Sequence, residues 1–173
     1  MKKLIVALLL ISITETFSQS PVIQQIINSV NRDSLIYFVR ELSGNVPTTI
    51  NDTLRTILSR NYNQPGKNLA VAYLKQKLLS YGLPAVIQFY SSSGRNVYAV
   101  QTGNQFPNKK YILCAHFDDM PNGTIAPGAD DNASGTAAVI EAARIFSNYS
   151  FPYTLVYALW DEEETGLVGS NYF

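Results

Sequence analysis

Acidic residues and the only histidine of the chain come directly after two apolar segments. The segment YILCA, 111–115, leads into HFDD, 116–119, and the segment TLVYALW, 154–160, leads into the acidic run DEEE, 161–164. A buried strand with charged side chains at its carboxyl end is typical of a functional site. One histidine and several carboxylates at the same edge of a sheet could hold a divalent cation, and zinc or manganese suits these ligands.

A third acidic pair, Asp130 and Asp131, comes directly before a segment that predicts a helix over about 135–147. Each feature also has an ordinary structural interpretation. His116 could be a core or loop histidine, the acids 162–164 could lie at a solvated helix N-terminus, and 130–135 could be a capping loop. Together the three acidic ends favour a cation site, because like charges at one edge repel each other unless a cation neutralises them.

Other catalytic signatures are absent from the sequence. It contains no G-x-S-x-G, G-x-x-x-x-G-K-[ST], G-x-G-x-x-G or H-E-x-x-H, so serine hydrolases, P-loop enzymes, dinucleotide-binding proteins and zincins are not indicated. Cys114 lies in an apolar segment and is predicted to be a small buried side chain rather than a nucleophile. Thirteen basic and thirteen acidic residues give zero net charge, which argues against a nucleic-acid partner.

Strands and helices that could position these residues alternate in the second half of the chain. Strands are predicted at 85–90, 96–100, 111–115 and 154–160, and the helix over 135–147 joins the last two. Strand, helix, strand is a crossover unit. The predicted fold class is therefore α/β, a three-layer α/β/α sandwich with a mixed, largely parallel sheet. The last two strands are nearly all apolar, which predicts that both of their faces are covered.

The first half of the chain is predicted to be helical at both ends. Apolar residues recur at helical spacing over 22–42, which predicts two short helices. The segment 43–68 is polar, with Pro and Gly at both ends, and predicts a loop around one weak helical turn. Apolar positions over 69–79 then predict an amphipathic helix that ends at Gly82.

The amino terminus has the pattern of a secretory signal peptide: two lysines, an apolar run at 4–13, and then small polar residues. That run is far shorter than the roughly 20 apolar residues of a membrane span, so we expect a secreted or periplasmic protein with no membrane anchor. With cleavage after Ser18, the chain divides into a signal peptide, 1–18, a helical and loop segment, 19–68, and a main domain portion, 69–173.

Four segments resemble the co-catalytic zinc exopeptidases of the bacterial leucyl aminopeptidase and glutamate carboxypeptidase II family. In chain order they are NVYAV, YILCAHFDD, APGADDNASGTAAVIEAARIFS and YALWDEEETGLVGSNYF. The resemblance covers about 69–173 and is to the N-terminal portion of the family's catalytic domain. It implies a zinc-exopeptidase, phosphorylase/hydrolase-like fold and two Zn²⁺ ions in each complete site.

The resemblance implies roles for five residues. His116 is similar to a ligand of one zinc ion, and Asp118 to the acid that orients its imidazole. Asp131 is similar to the carboxylate that bridges both ions. The family's paired glutamates come directly before x-G-L, as Glu163 and Glu164 do here. This implies that Glu163 is the general base and that Glu164 is a ligand of the second zinc ion.

The resemblance also implies a cis peptide bond between Asp131 and Asn132. The family completes its site with an Asp and a His farther along the chain, and this sequence has no counterpart of either. We therefore expect a C-terminally truncated site in which each metal lacks one protein ligand, and a 173-residue chain that is inactive alone.

The function implied is that of a secreted zinc exopeptidase, most similar to an aminopeptidase, which hydrolyses N-terminal peptide bonds of peptides or small proteins by a metal-activated water. Two alternatives stay open. A glutaminyl-peptide cyclotransferase-like enzyme would share the fold and part of the motif set but use one metal. A non-catalytic peptidase-like domain would serve binding or architecture, and the intact pair of Glu163 and Glu164 argues against it.

Overall fold

The computed structural model describes residues 20–173, so the predicted signal peptide, 1–18, lies outside the described residues. No helix of the described part is both long and apolar enough to cross a membrane. The helices and strands follow in chain order: α1 Pro21–Asn28, α2 Arg32–Leu42, β1 Thr48–Ile50, β2 Thr53–Arg55, α3 Gly66–Ser80, β3 Ala85–Phe89, β4 Arg95–Gln101, β5 Phe106–His116, α4 Gly135–Phe146, β6 Tyr153–Trp160 and α5 Val168–Tyr172.

The predicted helices and strands are confirmed except in the segment 43–68. A small antiparallel hairpin of β1 and β2 forms where a loop with one helical turn was predicted. The two residues between these strands, Asn51 and Asp52, have φ angles of 48° and 60°. Asn and Asp tolerate this left-handed conformation, which a two-residue hairpin turn requires, so the pair favours the hairpin over a helical turn.

The main sheet has four strands in the order β3-β4-β6-β5. The mixed sheet is confirmed, but only β5 and β6 pair in parallel, so the prediction that it is largely parallel is wrong for these strands. The short loop 90–94 joins β3 directly to β4, and a connection of that length forces antiparallel pairing. The crossover through α4 produces the one parallel pair, as predicted.

The larger core lies between the sheet and the helices α3 and α4. Fully buried side chains of these two helices, including Leu74 and Ile140, pack in one cluster with Tyr157 and Leu159 of β6. The opposite face carries a smaller cluster around Trp160, against which the aromatic ring of Phe173 packs at 4.8 Å between centroids. Helices therefore lie on both faces of the sheet, in agreement with the α/β prediction.

The prediction that both central strands are covered on both faces is correct for β6 but wrong for β5. Every residue of β6 after Tyr153 is buried. On β5, Ile112 is 48% exposed and Cys114 is also exposed, so the predicted burial of Cys114 is wrong as well. The reason is that α4 packs on the face of β5 that carries Leu113 and Ala115, whereas α5, on the opposite face of the sheet, packs against β4.

Candidate metal centre

The parallel pairing of β5 and β6 brings the acidic ends of both strands to one edge of the sheet. His116, the last residue of β5, is in register with Trp160, the last residue of β6. The acids that follow Trp160 therefore begin beside His116. This is the convergence that the order of apolar and acidic segments predicts.

Three side chains offer ligand atoms close to one another at this edge. One atom from each of His116, Asp131 and Glu164 lies within 4.8 Å of the other two. His116 Nε2 and Asp131 Oδ1 are 3.2 Å apart. Glu163 is next to this cluster, with its Oε2 atom 3.8 Å from the same imidazole nitrogen. The structure thus brings together the predicted ligands and the predicted base.

Asp131 reaches the cluster from a distorted helical turn, Ala129–Ser134, that precedes α4. The peptide bond between Asp131 and Asn132 is cis, as the resemblance implies. The side chain of Asn132 accepts a hydrogen bond from the amide of Gly135 at 2.9 Å and so caps the first turn of α4. Thr136 of α4 donates a hydrogen bond to the carbonyl oxygen of His116 at 2.8 Å, which attaches the helix to the end of β5.

Asp118 connects the imidazole to both glutamates. Its buried carboxylate accepts hydrogen bonds from the backbone amides of Glu163 and Glu164, each at 3.1 Å. Its Oδ1 atom also lies 3.4 Å from His116 Nδ1. The position beside the imidazole was expected, but the two amide contacts were not, because a sequence does not show which backbone amides a carboxylate meets. Asp118 therefore orients the backbone that carries both glutamates.

The electrostatic balance of the cluster is negative. The Asp118 carboxylate raises the pKa of His116 above its ordinary value, against the lowering effect of burial. Burial, followed by the charges of Asp131 and Asp118, raises the pKa of Glu164. Within residues 20–173, no Lys or Arg nitrogen lies within 4.0 Å of the carboxylates of Asp131, Glu163 or Glu164. A bound cation would relieve the repulsion among the carboxylates, which contributes to the raised pKa of Glu164.

The donor set fits zinc. An imidazole nitrogen together with carboxylate oxygens is a common zinc ligand set, and both ligand types face the same small space here. His116 Nδ1 is buried and makes no well-formed hydrogen bond to any described residue, with Asp118 as its nearest acceptor at 3.4 Å. A carboxylate at this ring nitrogen is the usual partner of a metal-ligating histidine, because it fixes the ring while the other nitrogen binds the metal.

Other acids at the sheet edge face away from the cluster and are neutralised by cations. Asp161 is fully buried, and its carboxylate lies 3.1 Å from the ammonium of Lys67. Burial raises the pKa of Asp161 to about 6, although the nearby Lys67 opposes this shift. Asp119 is fully buried beside Arg60, at 3.2 Å. Neither Lys67 nor Arg60 was predicted to act here, since both lie in or next to the segment that was expected to be a loop.

Known proteins resemble the part of the chain that carries the cluster. Residues 96–173 match the family description "Peptidase family M28". A probable zinc metalloprotease of Pyrenophora teres f. teres is 29% identical over 167 residues, which cover 81% of this chain and 35% of that protein. Leucine aminopeptidase 2 of Trichophyton rubrum is 29% identical over 136 residues, which cover 75% of this chain and 26% of that protein. The chain thus spans about a third or less of the length of these relatives.

Solved structures share the fold. The aminopeptidase from Aneurinibacillus sp. strain AM-1 matches with a TM-score of 0.68 and 14% identity, over 86% of this chain and 67% of that one. The glutaminyl cyclase of Bacteroides thetaiotaomicron matches with a TM-score of 0.59 and 20% identity, over 75% of this chain and 46% of that one. Residues 96–173 of the chain are therefore similar to peptidase family M28, and proteins that resemble the chain are named as a probable zinc metalloprotease and a leucine aminopeptidase.

Proposed function

We propose that the whole protein is a zinc-dependent aminopeptidase that removes residues from the N-termini of peptides. The observation that carries this proposal is the cluster of His116, Asp131 and Glu164, with Glu163 beside it. The relatives named as a zinc metalloprotease and a leucine aminopeptidase support both the metal and the direction of hydrolysis.

His116, Asp131 and Glu164 would hold zinc, which lowers the pKa of a water molecule and polarises a scissile carbonyl when it is bound. Glu163 would be the general base for this water molecule. Its side chain is 35% exposed, so that both water and substrate can reach the carboxylate. The carboxylate would accept a proton from the attacking water and donate it to the leaving amine. The backbone amide of Glu163 is fixed by Asp118, which keeps the base in one place during both transfers.

The test of the base is the variant Glu163→Gln in the whole protein. We expect hydrolysis of an aminoacyl p-nitroanilide to fall by about 10² to 10⁴-fold, the usual contribution of a general base. Zinc content, measured by atomic emission, should stay unchanged because the side chain is not one of the proposed ligands. Asp130→Asn is the matched control, since Asp130 is exposed and outside the cluster. Unchanged turnover in Glu163→Gln would refute the assignment.

The zinc content and the reaction products of the whole protein distinguish an aminopeptidase from the cyclotransferase alternative. The likeness to a glutaminyl cyclase concerns the fold alone. Two zinc ions per chain, with release of N-terminal residues, would support the aminopeptidase. One zinc ion, with cyclisation of N-terminal glutamine and no hydrolysis, would contradict it.

We also propose that the protein is exported. The support is the succession of two lysines, the apolar run 4–13 and small polar residues at the amino terminus. N-terminal sequencing of the protein from the growth medium or periplasm tests this. A mature protein that begins at Gln19 is expected, and a cytoplasmic protein that keeps Lys2 and Lys3 would contradict the proposal.

A further inference from the structure

One loop, 117–128, lies between two residues of the cluster, His116 and Asp131. It begins directly after His116 and ends three residues before Asp131. Those two side chains approach to 3.2 Å. The geometry of the cluster therefore depends on how the two ends of this loop are held relative to each other.

The side chain of Arg60 holds both ends of the loop. Its Nε atom donates a hydrogen bond to the carbonyl oxygen of Phe117 at 2.6 Å, at the start of the loop. Its Nη1 and Nη2 atoms donate to the carbonyl oxygens of Pro127 at 3.0 Å and Gly128 at 2.9 Å, at its end. Nη1 also donates to the carbonyl oxygen of Leu42, at the end of α2. A single planar guanidinium thus joins three separate parts of the chain.

Asp119 fixes the guanidinium in turn. Its carboxylate lies 3.2 Å from Nη1 of Arg60 and accepts a hydrogen bond from the backbone amide of the same residue at 2.9 Å. Asn61 donates to the carbonyl oxygen of Asp119 at 2.9 Å. Both Arg60 and Asp119 are completely buried, so solvent does not screen this pair. Asp119 of the loop is therefore joined to Arg60 and Asn61 by an ion pair and by hydrogen bonds.

Gly128 shows how tightly the end of the loop is packed against Arg60. A Cβ atom at this position would lie 2.6 Å from Nη2 of Arg60 and 2.7 Å from Cβ of Asp119, closer than real Cβ atoms approach. The φ angle of Gly128 is also positive, at 43°. Any side chain here must displace the guanidinium or the loop.

We propose that Arg60 is a positioning residue of the metal centre: it clamps both ends of the loop 117–128 and so sets the separation of His116 and Asp131. The proposal rests on the proposed function, since it concerns affinity for zinc. It also gives the segment 19–68 a role, because that segment supplies the clamp and is an integral part of the domain rather than a removable one.

The first test is the variant Arg60→Lys, with zinc affinity measured by competition with a chromophoric chelator. Lysine keeps the charge beside Asp119 but does not span the carbonyl groups of Phe117, Pro127 and Gly128. We expect folded protein by circular dichroism and zinc affinity weaker by about 10 to 100-fold, as for other residues that support metal ligands. The absorption spectrum of the cobalt(II)-substituted protein should change as well. Leu78→Ala, a core variant in α3, should lower the melting temperature but leave both readouts unchanged.

The second test covers the case in which Arg60→Lys does not fold. Gly128→Ala introduces the clash with the clamp, and Gly82→Ala is its matched control. Gly82 has a similar positive φ of 74°, but nothing lies within 4 Å of its added Cβ. Both variants place a side chain at a positive φ, and only Gly128→Ala should weaken zinc binding. Equal zinc affinity in the two glycine variants would overturn the proposal. If the wild type itself binds no zinc, the proposed function fails instead.

Discussion

Two groups of acids at the same sheet edge differ in their neighbours. Asp119 and Asp161 are fully buried, and each lies beside a buried cation, Arg60 or Lys67. Asp131 is exposed, Glu163 and Glu164 are half-buried, and none of the three has a Lys or Arg within 4.0 Å among residues 20–173. The sequence motif contains both groups within a few residues of each other.

The difference separates structural acids from candidate ligands. A buried carboxylate with its own cation and several hydrogen bonds is already satisfied, and its role is to hold the chain. A group of carboxylates without a cation keeps its mutual repulsion, which costs stability unless a metal ion is bound. We propose that Asp131 and Glu164, which are clustered and have no cation beside them, belong to the metal site and that the acids with cations, Asp119 and Asp161, support it.

The largest expected effect on stability comes from removing the cation beside Asp161. Lys67→Met should lower the free energy of unfolding by about 3 to 5 kcal/mol, because it leaves a buried carboxylate without its partner. Urea denaturation monitored by circular dichroism measures this. Lys75→Met on the same helix is the control, with an expected change within about 0.5 kcal/mol, as Lys75 makes no ion pair in the described part of the chain. Equal effects of the two variants would remove the distinction between the groups.

A smaller effect is expected in the pH dependence of stability, because the pKa of Asp161 is raised from 3.8 to about 6. A raised pKa in the folded state gives stability that is present below pH about 4 and is lost as the pH rises through about 6. Asp161 should therefore contribute a loss of about 2 kcal/mol between about pH 4.5 and about pH 7. Urea denaturation of the wild type and Asp161→Asn at both pH values measures it. Parallel pH profiles of the two proteins would contradict the raised pKa.

The smallest effect on stability is expected at a proposed ligand. Asp131 has a side chain that is 75% exposed, and its nearest charged partner is His116. Without metal, Asp131→Asn should change the free energy of unfolding by less than about 1 kcal/mol, as is usual for exposed pairs. The same urea denaturation shows this. A loss as large as that of Lys67→Met would place Asp131 among the structural acids.

Much of this arrangement could be predicted from the sequence. Alternating and helical apolar patterns located the four main strands and the longer helices, and the crossover through α4 predicted that the segments after β5 and β6 meet. The ligand types at those ends then predicted the cluster. These features depend on residues that are near each other in sequence or on a simple topological rule.

The supporting contacts could not be predicted for a physical reason. Arg60 binds carbonyl groups of Leu42, Pro127 and Gly128, and any residue type presents such a group. Asp118 likewise binds the backbone amides of Glu163 and Glu164, and nearly every residue type presents such an amide. The pairing of β4 with β6 likewise depends on the order of strands in the sheet, which the apolar pattern of each strand does not contain.

The most direct test of the central claim is a zinc titration of the wild type, Asp131→Asn and Asp130→Asn. The two acids are adjacent and chemically identical, but only Asp131 belongs to the cluster. Isothermal titration calorimetry under identical conditions should show zinc binding by the wild type and Asp130→Asn, and binding weaker by at least about tenfold in Asp131→Asn. Equal zinc affinity in all three proteins would contradict the claim that the clustered acids without cations form the metal centre.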